Sequence, residues 1–202
     1  NTIETLQKAQ QQGFSIAIAT GRHPKSAVKF MKQLGCLNDH SYAVCLNGAG
    51  VVRLSDYVKY DHHIGFPLVY KETFTGDRVK KITAFAHEHG CKVHGYSVTE
   101  GLVIEDHNPH TQREIDNGFV GFKAIDFTKV PDTEEFFKLL IVGQKETLDT
   151  VRATLPEEFT SFFSVVISEA HYLEFIPNHA TKGTALEHLC QALGYTKDNA
   201  IA

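Results

Sequence analysis

Phe14-Ser15-Ile16-Ala17-Ile18-Ala19-Thr20-Gly21-Arg22-His23-Pro24 is the stretch that decides the fold of this 202-residue chain. Residues 14–19 form a short apolar run, the pattern of a strand covered on both faces. Thr20-Gly21-Arg22 turns the chain, and Pro24 stands in a first helical turn, where its missing N–H costs nothing. Upstream, Ile3, Leu6 and Ala9 recur at helical spacing, and Gly13 ends that helix. Downstream, Ala27, Val28, Met31 and Leu34 make a second stripe that stops at Gly35. Residues 42–46 are a second buried strand, ending at Asn47-Gly48-Ala49-Gly50. Helix, strand, helix, strand with short links predicts a parallel α/β sheet.

The pattern then changes. Residues 51–54 and 57–60, split by Ser55-Asp56, read as a hairpin. A helix is predicted over 77–89 (Val79, Ile82, Phe85, Ala86), closed by Gly90. Strands at 92–96 and 102–105 flank a turn at 98–101. Further strands near 123–127 and 138–142, a helix near 146–155 and a strand pair at 162–167 and 172–176 complete an α+β unit. After Pro177 the first style returns: residues 182–193 form a helix (Leu186, Leu189, Cys190, Leu193) closed by Gly194, and 199–202 read as half of another buried strand. The expected organisation is a core from 1–65 and 177–202, with a module of 66–176 inserted. Two parallel strands and half a third make a small sheet, so the core is expected to be truncated at both ends.

Composition narrows the functional classes. Hydrophobic residues make up 42% and charged ones 22%, enough to bury a core. The formal net charge is −4, which disfavours nucleic acid as a partner. No apolar stretch approaches the ~18 residues of a membrane helix, and the start shows no signal-peptide pattern. Cys36, Cys45, Cys91 and Cys190 are widely spaced, with no C-x-x-C. They read as reduced thiols of a cytoplasmic protein.

In open α/β sheets, ligands bind beyond the carboxyl ends of the strands, where backbone N–H groups and helix N-termini attract anions. Thr20-Gly21-Arg22 and Asn47-Gly48-Ala49 occupy such places. The first offers a hydroxyl, a flexible backbone and a guanidinium, suited to phosphate or carboxylate. The second offers an amide and a close backbone approach. Thr and Asn also serve as plain turn and cap residues. Lys182, in Thr181-Lys182-Gly183-Thr184, starts a helix where the macrodipole is already positive. It reads either as a solvated surface lysine or as a point charge completing an anion site.

Other constellations carry less. His87, His89, Cys91 and His94 form H-x-H-x-C-x-x-H, but Gly90 interrupts them, and Cys91 and His94 fall on opposite faces of a strand. His62-His63 and the pair His107 and His110 read as surface residues. Glu100, Glu105 and Asp106 read as turn and strand-end charges, and Cys45 and Cys190 as small core residues.

Three segments together carry a family resemblance. Ala19-Thr20-Gly21-Arg22 after one strand, Leu46-Asn47-Gly48-Ala49 after the next, and Leu173-Glu174-Phe175-Ile176 followed by Thr181-Lys182-Gly183 before a helix resemble the Cof-type branch of the haloacid dehalogenase superfamily. The order and the long insert match along essentially the whole chain. The resemblance implies a Rossmann-like α/β core with an α+β cap of type C2, and Mg²⁺-dependent hydrolysis of small phosphomonoesters through an aspartyl phosphate. The partner it implies is a small phosphorylated metabolite such as a sugar phosphate, with the protein a monomer or homodimer. Thr20 resembles the hydroxyl that hydrogen-bonds the transferring phosphoryl group, with the Gly21 N–H beside it. Lys182 resembles the lysine that offsets phosphate and nucleophile charge. Arg22 and Asn47 resemble positions near the cap-facing mouth. The first motif of the family, Asp-x-Asp-Gly, is expected before Asn1, and the fourth, with the Mg²⁺ ligands, after Ala202. The 202 residues alone are accordingly expected to be inactive. A non-catalytic phosphometabolite-binding or regulatory domain is the alternative, and a phosphomutase shares the cap type.

Overall fold

Asn1 caps the first helix, its side-chain oxygen accepting from the Ile3 N–H at 3.0 Å, and α1 runs over Thr2–Gln11. β1 (Ile16–Ala19) leads to α2 (Pro24–Gln33) and β2 (Ser41–Cys45). The computed structural model describes residues 1–60, 68–118 and 121–201. β3 (Gly50–Arg53), α3 (Leu54–Lys59) and β4 (Leu68–Lys71) follow. β1 pairs with β2 in parallel, and β2–β3 and β3–β4 are antiparallel. Together with α8 (Lys182–Ala192) these elements belong to the first of two units, Asn1–Glu72, Asn117–Phe119 and His179–Ala202. The expected junction at 65/66 lies outside the described residues. β4 pairs with β3 and so groups with the first unit.

β2 is buried along its whole length. Ala43 joins Ala27, Val28 and Met31 of α2 on one face, while Tyr42 and Val44 join Ala185 and Leu189 of α8 on the other. A strand covered on both faces needs no polar alternation, and Ser-Tyr-Ala-Val-Cys has little. β1 departs from the same expectation. Ile16 and Ile18 pack with the α2 cluster, but Ala17 and Ala19 are exposed. They line a groove of about 630 Å³ whose other wall is Leu186, Leu189 and Cys190 of α8.

Two further expectations for this unit are corrected. Residues 57–60 are not a strand: Leu54, Tyr57 and Val58 meet the α2 cluster at i, i+3 and i+4, the spacing of one helical face. The hairpin is β2–β3. Residues 199–202 form no half-strand among the described residues, because Thr196 and Asn199 close a capping box over a 3₁₀ turn at Lys197–Asn199.

The second unit is Thr73–Asp116 with Val120–Asn178. It contains β5 (Phe74–Thr75), α4 (Gly76–Glu88), β6 (Lys92–Ser97), β7 (Gly101–Ile104), all but the last two residues of α5 (Pro109–Gly118), β8 (Lys123–Ala124), β9 (Glu135–Val142), α6 (Lys145–Ala153), α7 (Glu157–Thr160), β10 (Phe163–Glu169) and β11 (Tyr172–Pro177). The sheet order is β10-β11-β9-β6-β7-β8, with β5 also on β9. The predicted strand at 123–127 stops at Ala124, because Asp126 caps a 3₁₀ turn by accepting from the Thr128 N–H. α5 was not anticipated: Pro-His-Thr-Gln-Arg-Glu-Ile-Asp-Asn-Gly carries one large apolar side chain and so no stripe. Val93, Leu139, Ile141, Leu173 and Phe175 turn one sheet face toward α4 and α6, forming the apolar core. Strand alternation sends His94, Tyr96, Lys138 and Glu174 to the other face. All four cysteines are free and buried. No described helix is long and apolar enough to cross a membrane.

The four zinc-competent side chains scatter. His87 Nε2 bonds Glu105, His89 bonds the Phe85 carbonyl and Thr154, and Cys91 is buried. His94 is fully buried, its Nε2 bonded to Thr111 Oγ1 at 2.8 Å and its Nδ1 without a partner among the described residues. His62-His63 lies outside the described residues. Burial lowers His94 from 6.5 to about 4, with Asp106 opposing the shift and His110 adding to it. The unfolded chain therefore binds a proton that the folded one refuses between about pH 6.5 and 4. Stability falls as pH drops through that window, by about 3 kcal/mol for this group. Thermal melts across the window measure the slope, and His94→Leu is expected to flatten it.

Candidate phosphate-binding site

Thr20 extends the parallel ladder by one residue, its N–H donating to the Val44 carbonyl at 2.8 Å. The chain then turns because Thr20 Oγ1 accepts from the Arg22 N–H at 3.1 Å. His23 caps α2, Nδ1 accepting from the Lys25 N–H at 3.4 Å, and its ring meets Tyr57 edge-on at 6.0 Å. Two backbone bonds tie this turn to the end of β2. The Leu46 N–H donates to the Arg22 carbonyl at 3.1 Å, and the Asn47 N–H to the Thr20 carbonyl at 3.2 Å.

That second loop is strained. Leu46, Asn47 and Gly48 have φ of 49°, 61° and 103° in succession. Leu46 tolerates this region poorly, at a cost on the order of 1–3 kcal/mol, and persists there because it is buried. The left-handed run brings Asn47 against Gly21, where any Cβ would overlap Asn47 Oδ1. It also presses Gly48 on the Thr181–Lys182 peptide: a Cβ on Gly48 would overlap the Thr181 carbonyl and stand 2.8 Å from the Lys182 nitrogen.

Thr181 caps α8, Oγ1 accepting from the Thr184 N–H at 3.0 Å and meeting its hydroxyl at 2.8 Å. Lys182 is thus the first residue of an eleven-residue helix, and it is exposed. Thr20, Gly21 and Asn47 are partly buried, and Arg22 is exposed. The Thr20-Gly21-Arg22 turn, the Asn47 loop and the start of α8, all expected at the site, lie in one unit and are joined backbone to backbone. The role of Gly48 was missed. Its close approach is to another backbone, and the only signal in the sequence was a glycine placed between Asn47 and Ala49.

The three segments that meet here through their backbones carry a hydroxyl, an amide, a helix N-terminus, a guanidinium and an ammonium, and none of the five residues is acidic. Such a set attracts an anion and repels a cation. Among the described residues no group of three or more His, Cys, Asp or Glu side chains is placed to hold a metal ion. The Mg²⁺ implied by the resemblance has no ligand set in these residues.

The sequence profile of the haloacid dehalogenase-like hydrolases matches residues 1–202. A protein of Streptococcus pyogenes serotype M6, provisionally named a phosphatase, is 26% identical over 206 residues, covering 100% of this chain and 72% of its own length. Among solved structures, a haloacid dehalogenase-like hydrolase from Bacteroides thetaiotaomicron superposes with a TM-score of 0.77 at 23% identity, over 96% of this chain and 70% of that one. A subclass IIB sugar phosphatase gives a TM-score of 0.69 at 18% identity, over 96% and 68%.

Proposed function

The chain belongs to the haloacid dehalogenase-like hydrolase family, and on that premise we propose that its first unit binds the phosphoryl group of small phosphomonoesters for hydrolysis. Sugar phosphates and related metabolites are the proposed substrate class, and the inserted α+β unit, Thr73–Asp116 with Val120–Asn178, is the proposed cap. The supporting observation is the backbone convergence of three anion-suited segments, through the Thr20–Asn47 and Arg22–Leu46 bonds and the Gly48 contact. In this reading the Thr20 hydroxyl and Gly21 N–H donate to the phosphoryl oxygens. Lys182 offsets their charge at the N-terminus of α8, while Arg22 and Asn47 stand at the mouth.

The family's reaction proceeds through an aspartyl phosphate with Mg²⁺, and the cradle supplies neither the carboxylate nor the metal ligands. No step is therefore assigned to a metal in these residues. An acid-free cradle also suits a second reading, a domain that binds phosphorylated metabolites without hydrolysing them.

Calorimetry with orthophosphate and an aryl-phosphate assay test both readings. Residues 1–202 are expected to bind orthophosphate without turnover. Expression with the coding sequence on either side is expected to give Mg²⁺-dependent turnover under the first reading and none under the second. Failure of the chain to bind orthophosphate removes both. Turnover by residues 1–202 alone overturns the assignment of catalysis to carboxylates outside them.

A further inference from the structure

Three elements define the proposed cradle, and backbone hydrogen bonds join two of them. The turn after β1 and the loop after β2 share the Thr20–Asn47 and Arg22–Leu46 bonds. The start of α8 meets that pair through close packing at Gly48, on the peptide joining Thr181 and Lys182. Resting on the phosphate-cradle reading, we infer that Gly48 is a positioning residue: it sets the distance of Lys182 from the Thr20 turn, and thereby anion affinity.

Two independent requirements exclude every other residue at this position. At φ 103° a side chain meets its own backbone. Space for a Cβ is also taken by the Thr181 carbonyl carbon and oxygen, which are backbone atoms and cannot rotate away. Any methyl at position 48 therefore moves either the loop or the first turn of α8. The loop is held on its other side by the two bonds to the β1 turn, and Ala49 N–H to the Leu46 carbonyl at 3.1 Å closes it internally. The start of α8 is the more exposed side of the contact, with Thr181 to Gly183 all exposed. The helix start gives way, and Lys182 moves with it. An ammonium binding an anion is sensitive to such a shift, since Coulomb attraction and hydrogen-bond geometry both weaken with distance.

Gly194 provides the control. It follows the same helix, has φ 79°, and a Cβ there would meet nothing within 4 Å. Gly194→Ala carries the backbone penalty alone, whereas Gly48→Ala carries that penalty and the displacement. Both variants of the 202-residue chain are melted, then titrated with orthophosphate at a temperature where each is folded. Gly194→Ala is expected to lower the melting temperature and leave phosphate affinity unchanged. Gly48→Ala is expected to weaken affinity by about tenfold, the loss of one charge-assisted contact.

A double-mutant cycle with Lys182→Met identifies the route. If Gly48 acts through Lys182, the second substitution adds little to the first, and the pair is strongly non-additive. Ala49→Gly serves where Gly48→Ala does not melt cooperatively, because it loosens the same loop without adding an atom, and several-fold weaker binding is expected. Unchanged affinity in Gly48→Ala, or in Ala49→Gly where that variant must stand in, overturns the inference, as does full additivity with Lys182→Met. Absence of phosphate binding by the unsubstituted chain is the separate result that removes the cradle itself.

Discussion

In the protein expressed with the coding sequence on either side, Lys182→Met is expected to lower kcat for phosphomonoester hydrolysis by a factor of about 100–1000 with the melting temperature unchanged or slightly raised. The argument begins with the helix. Lys182 is its first residue, beside the Thr181 cap, where the macrodipole is already positive and a cation costs about 0.3–1 kcal/mol. The lysine is exposed and fills no core position, so stability gives no reason for it. A phosphoryl group bound at the N-terminus of α8, as proposed, would. Charge moving between nucleophile and phosphoryl group is stabilised most in the transition state, and loss of one such contact costs roughly 3–4 kcal/mol. Lys182→Arg keeps the charge but spreads it over a planar fork that cannot occupy the same point. It is expected to fall between the two. Steady-state kinetics and melts on both variants decide the matter. Unchanged kcat with an equal or higher melting temperature for Lys182→Met leaves a solvated lysine and removes the main support for the phosphatase reading.

Local chemistry made much of this legible in advance. Thr20-Gly21-Arg22 after an apolar run, Pro24 in a first turn and Lys182 at the start of a helix are short-range signals, and the structure has the strand and helix ends they predict. Long-range packing was less legible. Leu54, Tyr57 and Val58 suit a strand or a helix by composition, and only the α2 cluster they meet selects the helix. Exposure of Ala17 and Ala19 could not be foreseen, since it depends on which strands α8 covers. The turn after β1, the loop after β2 and the start of α8 were readable as segments, but the backbone contact of Gly48 with Thr181–Lys182 was not. A glycine shows in sequence that something comes close, and not what.

The same limit hid a buried charge pair in the second unit. Lys138 opens the apolar run Leu139-Leu140-Ile141-Val142 and the strand predicted near 138–142, and Glu174 lies within the strand predicted at 172–176. β9 in fact begins three residues earlier, so Lys138 lies inside the strand with 4% of its side chain exposed. Its Nζ lies 3.1 Å from Glu174 Oε1, where 8% of the side chain is exposed, and 5.4 Å from the centre of the Tyr96 ring. Ser168 Oγ donates to the same carboxylate oxygen at 2.8 Å. Taking both ions out of water costs several kcal/mol each, and their attraction roughly returns it. Lys138→Met leaves the Glu174 carboxylate buried with Ser168 as its remaining donor among these partners, and is expected to destabilise by about 3–5 kcal/mol. Lys138→Met with Glu174→Leu removes both charges and is expected to be far milder, near neutral, with Ser168 losing one hydrogen bond of about 1 kcal/mol. Denaturant melts of the two variants supply the comparison. If the double variant is as unstable as the single one, the pair holds the fold by attraction. If it recovers most of the loss, the sheet does not need these charges for stability, and their presence on the face opposite the apolar core calls for a functional cause.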